Sequence, residues 1–155
     1  MLSKRIQSFL IRYLKKYKLS KKDFAKNSGI SYTTICDLLK ASKPNTSIET
    51  IIKIADYFEV SIDLICNRPQ FISNNKIHKF RNIDTCMVSL KNYIETKLKL
   101  LLLKPSKLSI ELGFSSHALT DFLNIAASKK TLGTKIIIAL ANYFNTSIDE
   151  MIGRV

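Results

Sequence analysis

Apolar residues recur along this chain in two stripes at helical spacing. Leu2, Ile6, Phe9, Leu10, Tyr13 and Leu14 form the first, and Val88, Leu90, Tyr93, Ile94, Leu98, Leu101 and Leu102 the second. Steps of three and four put such residues on one side of a helix, so each stripe predicts an amphipathic helix with a buried inner face. Start and stop signals divide the residues after the first stripe. The Ser20 side chain can cap a helix whose apolar or small face is Phe24, Ala25 and Ser28, and Gly29 can take the left-handed conformation that ends it. Ser31 is a second cap, ahead of Thr34, Ile35, Leu38 and Leu39. The pattern predicts helices at about 3–17, 21–28, 32–41, 47–58 and 62–67, and again at about 87–102, 105–112, 116–126, 133–144 and 148–152.

The two sets match each other. Sliding the chain by 84 residues puts Phe24 on Leu108, Gly29 on Gly113, Ile30 on Phe114, Ser31 on Ser115, Ile35 on Leu119 and Asp37 on Asp121. Beyond Leu123 the offset becomes 86, which puts Tyr57-Phe58 on Tyr143-Phe144 and Arg68 on Arg154. SIDLICNR at 61–68 then meets SIDEMIGR at 147–154. Self-similarity at a nearly fixed offset predicts a duplicated domain. The expected division is 1–68 for the first copy, 69–86 for a linker or arm, and 87–155 for a degenerate second copy. Pro69 and Ser73-Asn74-Asn75 interrupt helical continuity in the linker. It is basic at Lys76, His78, Lys79 and Arg81, and Phe71, Ile72, Ile77, Phe80 and Ile83 make it apolar enough to pack on a domain.

Composition narrows the class. The chain has 155 residues, 46% hydrophobic and 24% charged, enough apolar content for a packed core. The net charge is +13. That balance favours polyanions, nucleic acid first and an anionic membrane surface second. It is unevenly shared: residues 1–68 hold 13 Lys and Arg against 6 Asp and Glu, and residues 87–155 hold 9 against 5. No run of about 18 apolar residues predicts a membrane span. The first 18 residues lack the apolar core of a secretion signal, because Arg12, Lys15 and Lys16 interrupt it. Cys36, Cys66 and Cys86 are widely spaced and contain no Cys-x-x-Cys pair, which argues against a disulfide framework or a zinc site and fits a reducing cytoplasm.

Two short helices joined by a Gly-containing turn, as at 21–28 and 32–41, form a helix-turn-helix. The string Leu-Ser-x-x-Asp-Phe-Ala-x-x-x-Gly-Ile-Ser-x-x-Thr-Ile, Leu19 to Ile35, resembles the signature of the lambda-repressor/Cro (XRE) family of DNA-binding domains. SIETIIKIADYFEVSIDLI, Ser47 to Ile65, resembles the family's fourth and fifth helices. The resemblance implies an all-α fold of two tandem five-helix domains and a partner in double-stranded DNA. It implies base-reading positions at Tyr32, Thr33, Cys36 and Asp37 in copy one and at Ser116, His117, Thr120 and Asp121 in copy two. Phosphate contacts are implied at Lys21, Lys22, Ser31, Lys40 and Lys43. Lys21 stands where the family usually has Gln, and Leu39 and Ala41 where it often has Glu and Gly. In copy two Pro105 holds the Gln position and Ser109 the family's Ala.

The base-reading set contains no Arg, Asn or Gln, the side chains that bond guanine or adenine in pairs. Thr and Tyr can touch a thymine methyl and Asp can accept from cytosine N4, so readout of modest specificity or of DNA shape is expected. His78 and His117 have no partners at catalytic spacing, and no Gly-rich phosphate loop or metal-ligand spacing occurs. Neither an enzyme activity nor a cofactor or metal is expected. The function expected is a sequence-specific transcriptional regulator, a repressor that occupies an operator. Two alternatives stay open. One is an antitoxin-like module that binds a toxin partner and represses its own operon; the other is a low-specificity nucleoid-type binder. Pairing is expected either as a homodimer or within one chain, since 18 linker residues reach roughly 60 Å when extended, beyond the roughly 34 Å between half-sites.

Overall fold

Serine caps set where four of the helices of the N-terminal part begin. The computed structural model describes residues 1–72, 77, 82–124 and 131–155, and all regular structure among them is helical. The chain divides into two compact units, Met1–Asn74 and Asn75–Val155. Unit 1 holds α1 (Leu2–Lys16), α2 (Lys21–Ser28), α3 (Tyr32–Lys40), α4 (Ile48–Phe58) and α5 (Ile62–Ile65), then a 3-10 turn at Pro69–Phe71. The side chains of Ser20, Ser31, Ser47 and Ser61 accept from the amides of Asp23, Thr34, Thr50 and Asp63. Each satisfies a donor that has no partner within its own helix. Gly29 ends α2 at φ 76°. That left-handed geometry is open to glycine without a Cβ penalty, and it turns the chain into α3.

The core of unit 1 grows from the α1 stripe. Ile6, Phe9, Leu10 and Leu14 are buried, with Phe24 of α2, Ile35 of α3, Ile51 and Ile54 of α4, and Ile62 of α5. Phe58 stands at the aromatic centre, 5.3 Å from Phe24 and 5.9 Å from Phe9 between ring centroids. Gln7 of α1 donates to the Leu39 carbonyl at 2.8 Å, and Arg5 donates to the Cys66 carbonyl at 3.0 Å. These bonds tie α1 to the C-terminal ends of α3 and α5, where carbonyls lack helical partners.

Unit 2 holds α6 (Ile83–Leu101), α7 (Pro105–Glu111), α8 (Ala118–Leu123), α9 (Thr134–Tyr143) and α10 (Ile148–Met151). Three expectations change here. α6 starts at Ile83 instead of 87, because the Asn82 side chain caps it by accepting from Thr85 N–H at 2.8 Å. Cys86 and Met87 join Leu90, Ile94 and Leu98 on the buried face. Val88 leaves that face because it sits about 200° around the helix from Leu90. Leu101 and Leu102 leave it because the helix ends there, with Leu102 in the left-handed conformation. α8 runs from Ala118 to Leu123, shorter than the expected 116–126, whose last two residues lie outside the described ones. The linker residues Lys76, His78, Lys79, Phe80 and Arg81 lie outside them as well.

Both units bury an ion pair near their C-terminal ends. Asp63 with Arg68, and Asp149 with Arg154, are joined by a guanidinium-to-carboxylate bond, and all four residues are buried. In each the Arg amide also donates to the Asp carbonyl, at 2.7 and 2.8 Å. The Arg68 guanidinium lies 4.1 Å from the centroid of the Phe71 ring, so the 3-10 turn covers it. Among the described residues, no helix is long and apolar enough to cross a membrane.

Candidate nucleic-acid interface

α2, its glycine turn and α3 present one connected set of polar groups. Ser31 anchors the start of α3: its hydroxyl accepts from the Thr34 amide at 3.2 Å and bonds the Thr34 hydroxyl at 2.7 Å. The buried Ile35 fixes the inner side of α3, which turns the other side to solvent. Tyr32 (47% exposed) and Thr33 stand out from the first turn. Cys36 and Asp37, one turn on, are half-buried. Lys21, Lys22, Lys40 and Lys43 are all exposed.

Two of these groups are engaged with their neighbours. The Tyr32 hydroxyl hydrogen-bonds the Cys36 side chain across one turn. That bond, and secondarily the charge of ionised Cys36, raises the phenol above its ordinary value. Asp37 pairs with Lys43 at 2.9 Å, and its carbonyl accepts from the Ser42 hydroxyl. The structure thus joins a base-reading candidate to a phosphate candidate. Beside the pair lies a cleft of about 200 Å³, lined among others by Ser3, Thr34, Asn45, Ser47 and Thr50 at the start of α4.

The helix-turn-helix family model matches residues 10–65, from within α1 to the end of α5. An uncharacterised HTH-type transcriptional regulator of Rickettsia conorii is 34% identical over 77 residues, 48% of this chain and 69% of that protein. Another of Rickettsia prowazekii is 34% identical over 70 residues, 43% of this chain and 76% of that one. The chain belongs to the XRE-type helix-turn-helix family. It is a DNA-binding transcriptional regulator, with double-stranded DNA as its partner. No solved structure matches the chain.

In this regulator the corresponding positions of unit 2 are arranged differently. Ser116 and His117 lie in the turn before α8, with His117 at the cap position, and Thr120 and Asp121 lie within the helix. Ser115 aligns with Ser31, but α8 begins two residues later than that match predicts. The first-turn amide of Leu119 donates instead to the buried Ser109 hydroxyl at 3.1 Å, and Ser109 donates to the Pro105 carbonyl at 3.1 Å. Ser109 therefore caps α8 from inside α7. The residue pattern could have hinted at this, since Ser109 falls on Ala25 of unit 1 when the chain is slid by 84 residues. The buried Asp–Arg pairs also carry a signal in sequence: the same acid and base recur five residues apart in both SID-containing segments. Among the described residues, no cluster of three His, Cys, Asp or Glu is placed to hold a metal ion.

Proposed function

We propose that unit 1 lays α3 in the major groove of an operator and acts as a repressor by occluding a promoter. The observation that carries this is the outward first turn of α3, Tyr32 and Thr33, set among the exposed Lys21, Lys22, Lys40 and Lys43. Side chains at the start of such a helix meet base edges while lysines hold phosphates without reading sequence. The cleft beside Lys43 offers hydroxyls to a phosphate.

We further propose that unit 2 is a second, degenerate copy of the same domain as residues 1–68, beginning with α6 at Ile83 instead of at 87. Support comes from the same order of five helices, the left-handed Gly113 at φ 87° matching Gly29, and the matching buried ion pairs. Its reading positions are weaker: Ser116 and His117 precede the helix, and Pro105 and Ser106 replace Lys21 and Lys22. Unit 1 is accordingly the main reader. Two half-sites would be reached by pairing, within one chain or between two chains.

Selection from a random DNA pool, followed by titration at several salt concentrations, tests the reading. A single preferred sequence is expected, with a log–log salt slope of about −0.9 per phosphate neutralised. Lys21→Glu/Lys22→Glu should weaken all sequences alike and flatten the slope. Tyr32→Ala should cost about 1–3 kcal/mol on the selected sequence and much less on random DNA. No enriched sequence, or a double variant with unchanged slope, would remove α3 and its lysines from the interface.

A further inference from the structure

One side of α1 is basic where the fold does not require it. A cleft of about 330 Å³ runs between α1 and α5, walled by Lys4, Arg5 and Arg12 over Phe9, Leu64 and Ile65. Phe9 and Ile65 are buried, Leu64 is half-buried, and the three cations are exposed. No acidic side chain is among the described residues that line it. In the register of the repeat, Lys4, Arg5 and Arg12 fall on Val88, Ser89 and Thr96, and Leu64 falls on Glu150. Unit 2 packs α6 against α10 without any of these cations, so such packing does not depend on them. The cleft is also separate from the reading helix. Ser3 lines the smaller cleft beside Lys43 and Gln7 bonds the Leu39 carbonyl, so their side of α1 faces α3. At about 100° per residue, the centre of the Lys4, Arg5, Ser8 and Arg12 side lies about 135° around the helix from it.

We propose that this cleft docks an acidic helical segment of a partner protein, laid along α1. Charge and shape select the occupant. Three cations without an acid call for an anion, and they span about 12 Å from Lys4 to Arg12. A single carboxylate or phosphate cannot meet both ends. Acidic residues about seven apart on one face of a helix do, and an apolar residue between them meets Leu64. Arg5 and Arg12 can then hold carboxylates through paired hydrogen bonds. A small anion is disfavoured, because walls made of exposed side chains leave most of such a ligand in water. Nucleic acid is disfavoured by the floor: the Phe9 side chain is buried at 2% exposure and offers a base no face to stack on. A second copy of this chain, at +13, is repelled. The regulatory consequence rests on the function proposed above: a partner seated here leaves α3 free, so it joins the operator complex instead of displacing it.

The probe is a labelled synthetic helical peptide with glutamates about seven residues apart on one face and leucine between them. Fluorescence anisotropy with the full chain at about 0.15 M salt, where distant charges are screened, measures its binding. Micromolar binding is expected, with NMR amide shifts confined to α1 and α5. Lys4→Val/Arg12→Thr, which installs the residues of unit 2, should weaken it at least about tenfold. Both positions are exposed, so the melting temperature should hold. Lys99→Ala/Lys107→Ala removes the same charge from exposed positions of unit 2 and should change nothing. A peptide of the same composition with its glutamates scattered around the helix should bind at least about tenfold more weakly. No binding of the ordered peptide, equal binding of both peptides, or equal loss in both double variants would overturn the proposal. So would phosphatidylglycerol vesicles or duplex DNA that lose affinity for Lys4→Val/Arg12→Thr as the peptide does, since the face would then be a general polyanion surface. A DNA titration on the same samples separates the two readings. A chain that takes the peptide but no DNA sinks the regulator reading and leaves the cleft standing, and one that binds a selected operator but no peptide does the reverse.

Discussion

Asp37 stands between two roles that exclude each other. A carboxylate on the outward side of α3 can accept from cytosine N4, yet here it holds Lys43 at 2.9 Å. While the pair persists, the lysine is turned from phosphate and the acid from bases. The pair is half-open to solvent, with side-chain exposures of 27% for Asp37 and 70% for Lys43, so its contribution to folding is about 0–1 kcal/mol. It is thus weak enough to be exchanged for DNA. Asp37→Asn should release Lys43 to the backbone. We expect tighter binding to random DNA, a salt slope steeper by about 0.9, and folding stability within about 1 kcal/mol of the wild type. An unchanged slope in salt titrations would keep Lys43 off the phosphates.

Among the elements, α8 shows how one buried hydroxyl can replace a cap. The amide of Leu119 is an open donor in the first turn, and both it and Ser109 are buried. Ser109→Ala would restore the residue that unit 1 has at Ala25, yet leave this donor unmet. A loss of about 1–3 kcal/mol is expected in urea denaturation, the cost of a buried group without a partner. Stability equal to wild type would mean that α8 recaps itself on Ser115 and starts earlier. In unit 1, α1 was legible from its apolar stripe and α2 to α5 because Ser20, Ser31, Ser47 and Ser61 mark their starts locally. α8 was not, because its cap comes from ten residues upstream, at Ser109. The start of α6 was marked by Asn82 with Asp84 in the first turn, but the linker composition around it masked that local signal. The apolar stripe of α6 failed at Leu101 and Leu102, where periodicity continues past the point at which the backbone turns left-handed. On α3 the sequence placed Tyr32 and Thr33 outward, but a contact such as Asp37–Lys43 depends on how the following loop returns, and spacing carries no record of that.

At the scale of the molecule, the chain is two compact units, each closed by a buried Asp–Arg pair. Units of this size bury a modest share of their surface, so a few kcal/mol are a large part of their stability. Asp149 and Arg154 are about 2% exposed or less at their side chains, and the pair joins α10 to the end of the chain. Removing Arg154 takes the guanidinium away from a buried carboxylate. The loss is about 3–5 kcal/mol, much more than a surface pair contributes. Arg154→Ala should therefore strip hydrogen-exchange protection from α9 and α10. Because unit 1 has its own core and its own Asp63–Arg68 pair, protection of α4 should persist. DNA should then still be bound through unit 1. Equal loss of protection in α4 and α9 would mean that the chain folds as one cooperative block, and the reading of unit 1 as a self-sufficient DNA-binding unit would have to be abandoned.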